Sequence, residues 1–400
     1  MQESKPRFMS EQSTLRIGVL GAGAFSTFAA RAFTKIKGVS IVAVTDQNAA
    51  TAEHLATSVD AIILPDFETM LRDERVDLVY IGTPPFLHYD QSKQALQAGK
   101  HVICEKPAAL RTSEAEELAE YARSRNLLYV VNLMQRYNPL YAFVQTIIEE
   151  HWLGDFLHGY FENYARDTQL TPDHWFWNRE KSGGIFIEHG VHFFDMFSGW
   201  FGEGKLLHSL QLDRAGVQPP ITDRVHASVK YGDAVVNFYH GFNQPAQLDR
   251  QELRLLFDYG DITLYEWVPV KIRLYGLLKM SRIVQFMHKM PGSVVLYHST
   301  PDIDMHPDAG IKAEEAAQQM SRSDKTKLVA RGKFRDIPFD AWATLEAGDP
   351  ADKMQQYEQL VISMLKDQWE WIKDPQHRRV IDERNAVESL RIAEAATNFK

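Results

Sequence analysis

Short apolar runs alternate with helical stretches along the first third of the chain, and this alternation limits the possible folds more than any other feature. The first run, 15–20, leads directly into a glycine-rich turn and then a helical stretch. Apolar runs of about four to eight residues are typical of strands buried in a parallel sheet. We therefore predict a doubly wound parallel sheet. The predicted strands are 15–20, 39–45, 76–81, 101–104 and 127–131, and the predicted helices are 27–36, 49–58, 69–75, 89–98 and 113–126.

The pattern changes after about Arg136, where strand-like runs follow one another without helices between them. Turns such as Tyr231-Gly-Asp233 and Tyr259-Gly-Asp261 separate several of these runs. We expect a Rossmann domain over 14–136 and an α+β domain with a large, mostly antiparallel sheet over 137–400, whose last helix packs back on the first domain. The expected strands are 157–164, 208–212, 225–231, 235–242, 252–258 and 261–268, the expected helices are 351–373 and 384–399, and 291–349 shows only weak periodicity.

Composition excludes several classes of protein. Hydrophobic residues make up 44% of the chain and charged residues 24%, as in ordinary globular proteins. The 44 basic and 53 acidic side chains give a net charge of −9, so no nucleic-acid partner is expected. Because there is no apolar leader and no run of about 18 apolar residues, we expect no membrane partner and a cytoplasmic location. The single cysteine, Cys104, excludes an intrachain disulfide and is expected to be a buried, inert thiol.

The turn after the first strand carries a dinucleotide-binding fingerprint. Gly21 permits the tight turn, Gly23 lets a pyrophosphate approach the backbone, and the small Ser26 takes the third glycine position. The following helix offers N–H donors and the positive end of its dipole to phosphates. Asp46 ends the second strand, where a carboxylate binds the ribose hydroxyls of NAD and repels the 2′-phosphate of NADP. Gln47 provides no arginine for that phosphate, so NAD is expected and NADP is less favoured.

Further motifs follow the fingerprint along the chain. They are Gly82-Thr-Pro-Pro-Phe-Leu-His88, Cys104-Glu-Lys-Pro107, Asn132-Leu-Met-Gln-Arg-Tyr-Asn-Pro139, Ser182-Gly-Gly-Ile-Phe-Ile-Glu-His-Gly-Val-His192-Phe-Phe-Asp195, and the closing Ala386-Val-Glu-Ser-Leu-Arg-Ile-Ala-Glu-Ala395. In this order they resemble the glucose–fructose oxidoreductase, inositol dehydrogenase and MocA family. The resemblance covers most of the chain, except for the first residues and much of 291–349. It implies an NAD(P)-dependent oxidoreductase that acts on a sugar, a sugar derivative or a cyclitol.

The resemblance also implies which residues surround the cofactor. Thr83 and the two prolines after it would form a rigid ledge beside the cofactor, because proline fixes φ. A cis peptide bond before Pro107 is implied as well. The expected cofactor contacts are Gly21, Gly23, Ala24, Phe25, Ser26, Asp46, Gln47, Thr83, Pro84, Pro85, His88, Glu105, Lys106 and Arg136.

Three residues are predicted to be catalytic: Lys106, His192 and Glu188. Lys106 follows a strand at the carboxyl end of the sheet, where an ammonium can stabilise a developing alkoxide. His192 shares a helix face with Glu188 and Asp195, and an imidazole with a pKa near ~6.5 can accept an alcohol proton. Most members of the family carry aspartate where Glu188 stands, and the extra methylene of glutamate moves the carboxylate further out.

The same cluster raises the question of a metal. His189 and His192 beside Glu188 have residue types that can ligate zinc. However, His189 lies about 100° around the helix from Glu188, and the family resemblance accounts for the cluster without a metal. No metal is therefore expected.

An aromatic stretch before the glycine pair 183–184 predicts contacts to a sugar ring. Indole rings stack on the apolar faces of sugars, and polar neighbours can bond to hydroxyls. A tryptophan-rich corner of the core is the alternative interpretation. The expected substrate contacts are Lys106, Tyr137, His174, Trp175, Trp177, Arg179, His189 and His192.

Three functions fit these residues. The first is a dehydrogenase or reductase that moves a hydride between a nicotinamide and a sugar or cyclitol carbon. The second is a redox-neutral glycoside hydrolase that uses tightly bound NAD for transient oxidation, elimination and re-reduction, as in some relatives of the family. The third is a non-catalytic nucleotide sensor, which would need neither Lys106 nor His192. Net NADH formation from free sugars separates the first two functions.

The second sheet is also expected to determine assembly. One face should be covered by the helix that starts near Ser182, and the other should carry Val225, Val229, Val236 and Phe238. A monomer would expose such an apolar patch. We therefore expect a homodimer or homotetramer formed through this sheet, as the family resemblance also implies.

Overall fold

Parallel strands form the first of two large sheets. The computed structural model describes residues 14–299, 328–332 and 335–399. The first sheet contains β1 (Leu15–Leu20), β2 (Val39–Thr45), β3 (Ile62–Ile63), β4 (Leu78–Ile81), β5 (His101–Cys104) and β6 (Tyr129–Val131). Its order is β3-β2-β1-β4-β5-β6, and every neighbouring pair is parallel. The predicted doubly wound sheet is confirmed, and its order reverses beside β1, where ligands bind in such sheets.

Helices cover both faces of this sheet. They are α1 (Ala24–Phe33), α2 (Ala49–Val59), α3 (Phe67–Arg72), α4 (His88–Gln97) and α5 (Thr112–Arg125). The helix α1 starts three residues earlier than predicted, because Gly23 already takes the extended N-cap conformation. Side-chain caps fix two further starts: Asn48 accepts from the N–H groups of residues 50 and 51, and Asp66 accepts from that of residue 69.

The second sheet is mostly antiparallel, as predicted. Its strands are β7 (Phe156–Arg166), β8 (Gly204–Asp213), β9 (Thr222–Tyr231), β10 (Ala234–Gln244), β11 (Arg250–Phe257), β12 (Gly260–Tyr265), β13 (Lys271–Leu278), β14 (Val294–Ser299) and β17 (Ala341–Gly348). Their order is β14-β17-β13-β12-β11-β7-β10-β9-β8, and only β7 and β10 pair in parallel. A separate hairpin pairs β15 (Leu328–Gly332) with β16 (Arg335–Phe339). The strands β13 to β17 lie in stretches where the sequence predicted none, and residues 300–327 lie outside the described residues.

The remaining helices all lie in the second part of the chain. They are α6 (Pro139–Glu149), α7 (Arg179–Ser182), a π-helical turn (Phe186–Gly190), α8 (Val191–Phe201), α9 (Met280–Lys289), α10 (Lys353–Lys373) and α11 (Glu383–Thr397). The helix α11 packs on α8 and also reaches α5, where Glu394 accepts from the backbone N–H of Thr112 at 2.7 Å. The helix α10 packs on α1. Among the described residues, no helix is long and apolar enough to cross a membrane.

The prediction that the open face of the second sheet carries an exposed apolar patch is wrong. Val225, Val229, Val236 and Phe238 are at most 2% exposed. They lie on the face that α8 covers, where the Phe238 ring is 4.7 Å from that of Phe194. Successive side chains of a strand point to opposite faces of the sheet. Because the apolar side chains of these strands face α8, the polar side chains lie on the opposite face. The uncovered face carries half-buried tyrosines and charged residues: Tyr160, Glu162, Tyr164, Tyr239, Glu252 and Arg254.

Candidate active site

The turn between β1 and α1 has the shape of a phosphate cradle. Gly21 has a φ of +87°, and a Cβ there would lie 2.9 Å from the backbone of Gly82, so only glycine fits. A Cβ on Gly23 would meet no described atom within 4 Å, so this side of the turn is open. No side chain caps α1 and its first turn holds no acidic residue, so no side chain cap or carboxylate occupies the start of this helix, where an anion can bind. Ala24 and Phe25 supply two of the N–H groups at this start.

Two residues at the edge of the cradle support the fingerprint. The Ser26 side chain packs against Gly82, and a Cβ added to Gly82 would lie 2.0 Å from the Ser26 Oγ. The small residue at the third position of the fingerprint therefore lets α1 pack closely against the end of β4. Asp46 accepts from the N–H of Ala22 at 2.6 Å and from that of Asn48 at 2.7 Å. Its carboxylate is thereby held beside the glycine turn, at the end of β2, while the adjacent Gln47 is exposed.

His88 connects the two loops that border the sheet's carboxyl edge. Its Nδ1 lies 2.6 Å from the carbonyl oxygen of Pro107 and its Nε2 lies 2.7 Å from that of Thr83. The residue is 1% exposed, so it holds the loops together and does not face the cleft. The ledge of Thr83, Pro84 and Pro85 is thus fixed against the loop of Lys106, and the Lys106–Pro107 peptide bond is cis, as the resemblance implied.

Lys106 and Glu188 meet between the two sheet-centred parts of the chain. The Lys106 Nζ donates to the Glu188 backbone oxygen at 2.6 Å and also to the Glu188 carboxylate. Both side chains are mostly buried, with 18% and 14% exposed, so the ion pair is shielded from water. The longer arm of glutamate lets the carboxylate reach the ammonium directly.

His192 lies one helical turn beyond Glu188, at the start of α8. It is 3% exposed, and its Nδ1 finds no hydrogen-bond partner among the described residues. Burial, and secondly the charge of Lys106, lower the pKa of His192 well below its ordinary value. The imidazole is therefore neutral near pH 7. This places the three predicted catalytic residues in one cluster.

A buried carboxyl lies beneath this cluster. Glu105 accepts from the Tyr80 hydroxyl at 2.5 Å and from the Asn132 amide at 2.8 Å, and burial raises the pKa of Glu105. The preceding Cys104 is fully buried and burial raises its pKa too, so the thiol is inert, as predicted.

Several predicted cofactor and substrate contacts are engaged elsewhere in the protein. Arg136 donates to the Asp195 carboxylate at 2.7 and 2.9 Å. The Tyr137 hydroxyl donates to Asp367 of α10 at 2.6 Å, and burial raises its pKa. Arg179 donates to the carbonyl oxygen of residue 397 and to the side chain of residue 398, at the end of α11. The polar atoms of these three residues therefore hold helices together.

The predicted aromatic surface and His189 also have internal partners. The Trp177 indole donates to the Thr171 carbonyl at 3.1 Å, His174 caps the short turn that contains Trp175, and all three rings are half-buried. The Nδ1 of His189 lies 3.0 Å from that of His240 on β10. Its ring is therefore directed to the sheet.

An aromatic residue that the sequence analysis did not identify lies against His192. The Trp267 ring is 5.6 Å from the His192 ring and 5.3 Å from that of Tyr357 on α10. Tyr357 in turn packs on Phe25 and Phe28 of α1. Trp267 lies within the predicted strand 261–268 and belongs to no motif, so the only sequence signal was a lone tryptophan near the end of that strand.

The described residues contain no group of three or more histidine, cysteine, aspartate or glutamate side chains arranged to hold a metal ion. Glu188 instead pairs with Lys106, and His189 with His240.

Known proteins resemble this chain over part or all of its length. It is 31% identical over 203 residues to the uncharacterized oxidoreductase sll0816 of Synechocystis, which covers 50% of this chain and 54% of that protein. It is 27% identical over 245 residues to scyllo-inositol 2-dehydrogenase (NADP(+)) IolW of Bacillus subtilis, which covers 60% and 66%. The match spans about half the length of the first such relatives.

Solved structures share the fold over nearly the whole chain. Levoglucosan dehydrogenase in complex with NADH and levoglucosan aligns with a TM-score of 0.70 at 16% identity, over 96% of each chain. The 3-ketoreductase KijD10 from Actinomadura kijaniata, in complex with NADP, aligns with a TM-score of 0.69 at 14% identity, over 96% and 97%.

Family profiles match both parts of the chain. Residues 15–133 match the oxidoreductase family with an NAD-binding Rossmann fold, and residues 141–263 match the GFO/IDH/MocA C-terminal domain. Together these segments make up more than half of the chain and coincide with the parallel sheet and the first part of the mixed sheet. The chain therefore belongs to the GFO/IDH/MocA family of oxidoreductases.

Proposed function

We propose that this protein is an NAD-dependent dehydrogenase that oxidises a ring hydroxyl of a sugar, a sugar derivative or a cyclitol, and catalyses the reverse reduction. The main observation behind this proposal is that Lys106, Glu188 and His192 lie together at the carboxyl edge of the parallel sheet. Lys106 comes from the loop after β5, whereas the other two come from the second part of the chain. A substrate hydroxyl that enters this cleft meets a cation and a neutral imidazole together.

The residues around the glycine turn fit a dinucleotide. The open side of Gly23 accommodates a pyrophosphate, and the uncapped start of α1 directs N–H groups at it. The Asp46 carboxylate has lone pairs left for ribose hydroxyls, and its charge disfavours a 2′-phosphate. The nicotinamide, when bound, supplies the hydride acceptor. The structural relatives bind NADH or NADP, and Asp46 is the reason to propose NAD here.

His192, Lys106 and Glu188 have different roles when the substrate hydroxyl loses its proton. We assign the role of proton acceptor to His192, whose imidazole is kept neutral near pH 7 by burial. The ammonium of Lys106 stabilises the negative charge that develops on the oxygen. Glu188 orients Lys106 and compensates its charge, so the ammonium is held in place before substrate arrives.

A panel of ring polyols, aldoses and glycosides tests this proposal. We expect NADH to form with at least one free sugar or cyclitol, and His192→Ala to abolish most of that signal while NAD binding persists. If an aglycone is released with no net NADH, the redox-neutral glycoside hydrolase replaces the dehydrogenase. If neither product forms with any substrate while NAD still binds, the protein is a nucleotide sensor and the proposal is wrong.

We also propose that the protein forms a homodimer or homotetramer through the uncovered face of the second sheet. Tyr160, Tyr164 and Arg254 on this face are only partly buried, and aromatic and arginine side chains are enriched in protein interfaces. Light scattering should give a mass of two or four chains. A monomer at micromolar concentration would contradict this proposal.

A further inference from the structure

A strained turn presents Trp267 to the catalytic cluster. Glu266, which precedes it, has a φ of +75°, in the left-handed region that residues other than glycine rarely adopt. Its backbone N–H donates to the Gln251 carbonyl at 3.0 Å, and its carboxylate accepts from Lys353 of α10 at 2.6 Å. A residue keeps such a strained backbone conformation only where the surrounding structure holds it there. The contacts of Glu266 therefore fix the direction of the Trp267 side chain.

The segment that joins the two parts of the chain fixes the other side of this turn. The Gln135 amide donates to the Trp267 carbonyl at 2.7 Å, and the Asn138 amide donates to that of Pro269 at 2.9 Å. Both amide side chains are at most 1% exposed. These two residues belong to the Asn132–Pro139 motif, and neither has another role in the site described above.

The indole itself is positioned for a ligand. Its ring lies 5.6 Å from that of His192 at an angle of 57°, and it remains half-buried. Tyr357 packs edge-on against it at 5.3 Å and 90°, which supports it from behind. The indole N–H has no acceptor among the described residues. Part of the indole therefore stays accessible within reach of the imidazole that is proposed to accept the substrate proton.

We propose that Trp267 is the stacking platform for the substrate ring, and that the Glu266 turn and the Gln135 and Asn138 amides position it. The platform takes the apolar C–H face of a pyranose or cyclitol ring. A flat indole beside the catalytic imidazole discriminates in favour of ring substrates over open-chain polyols, because an open chain has no rigid face to stack. This inference rests on the proposed dehydrogenase function and names the substrate class of the same site.

The test compares Trp267→Ala with Trp371→Ala. Trp371 lies on α10, where the Arg379 guanidinium carbon is 4.7 Å from the centre of its ring, and it is half-buried like Trp267, so its loss is a matched control. With the best ring substrate of the panel, KM should rise about tenfold or more in Trp267→Ala and stay within about twofold in Trp371→Ala. The dissociation constant for NAD, measured by calorimetry, should stay unchanged in both variants.

A second pair of variants separates stacking from folding. Trp267→Phe keeps an aromatic face and Trp267→Leu keeps only apolar volume, so KM should be nearly normal in the first and raised in the second. Substrate should also change the tryptophan fluorescence of the wild type and much less that of Trp267→Phe. Equal KM values in the phenylalanine, leucine and wild-type enzymes would overturn the platform. A wild type that oxidises no ring polyol would instead contradict the proposed function itself.

Discussion

The ammonium of Lys106 lies 2.6 Å from the backbone carbonyl oxygen of Glu188 and also donates to the carboxylate of that residue. The two residues are 82 positions apart in sequence, one at the end of a parallel strand and the other in the π-helical turn before α8. An ammonium has three donors, so one remains for a substrate oxygen. The contact therefore orients the lysine and joins the two parts of the chain at the candidate active site.

Removing either proton-handling group should lower turnover. We expect His192→Ala to reduce kcat by about 10²–10⁴ with NAD binding intact, because a positioned base is lost. Lys106→Ala should also reduce kcat and raise KM, since a charge-assisted hydrogen bond disappears. Steady-state kinetics and calorimetry of the cofactor measure both effects.

The double variant is the control for this division of labour. Because both groups act on one hydroxyl, the loss in Lys106→Ala/His192→Ala should be smaller than the product of the two single losses. Near-normal turnover in His192→Ala, with none in Lys106→Ala, would show that His192 is only structural.

Asp46 should determine the choice between NAD and NADP. Asp46→Ala removes the charge that disfavours the 2′-phosphate and the acceptor for the ribose hydroxyls, so NAD affinity should fall and the preference for NAD should relax. Dissociation constants for both dinucleotides, from calorimetry, measure the ratio. Asn48→Ala, which removes the neighbouring cap of α2 but no charge, is the matched control. A clear preference of the wild type for NADP would refute the proposal that Asp46 selects NAD.

His88 should act on cofactor binding through the loops it joins. His88→Ala removes both contacts, to Thr83 and to Pro107, and we expect a loss of about 1–3 kcal/mol in the free energy of unfolding and weaker NAD binding. The exposed His54→Ala is the control and should change neither quantity. An unchanged NAD affinity in a destabilised His88→Ala would limit the role of this residue to folding.

Buried imidazoles should make the fold sensitive to acid. Burial lowers the pKa of His240 from 6.5 to about 3, so between these values the unfolded chain binds a proton that the folded chain does not. The free energy of unfolding should therefore fall as the pH decreases below 6.5, by up to about 1.4 kcal/mol per pH unit for this group. Urea midpoints measured from about pH 7 to about pH 5 test this slope.

The variant His240→Gln does not titrate and can still bond to His189. Its urea midpoint should depend less steeply on pH than that of the wild type. If the urea midpoints of the two proteins depend equally on pH, groups other than His240 cause the acid sensitivity.

Much of the architecture could be predicted from the sequence because its signals are local. The glycine turn, the strand periods and the start of α2 at Asn48 all lie within short windows of the chain. The sequence analysis missed β13, although Lys271-Ile-Arg-Leu274 alternates polar and apolar residues, and it missed β14 to β17, which lie in the weakly periodic stretch 291–349. The face of the sheet that carries Val225 and Phe238 was also assigned wrongly, since alternation defines two faces but not which one the helix covers.

The sequence by itself determined the glycine turn at Gly21 and Gly23 and the position of Lys106, because both follow strand ends at one edge of a parallel sheet. It also identified Glu188 and His192 as candidate catalytic residues through their shared motif. The tertiary structure alone decided which side chains are free to act there. Arg136 is paired with Asp195, whereas Trp267 lies against His192 through a turn held by residues far away in the chain. The physical reason is that hydrogen bonds and ring contacts depend on positions in space, and neither the spacing nor the type of these residues indicates their partners.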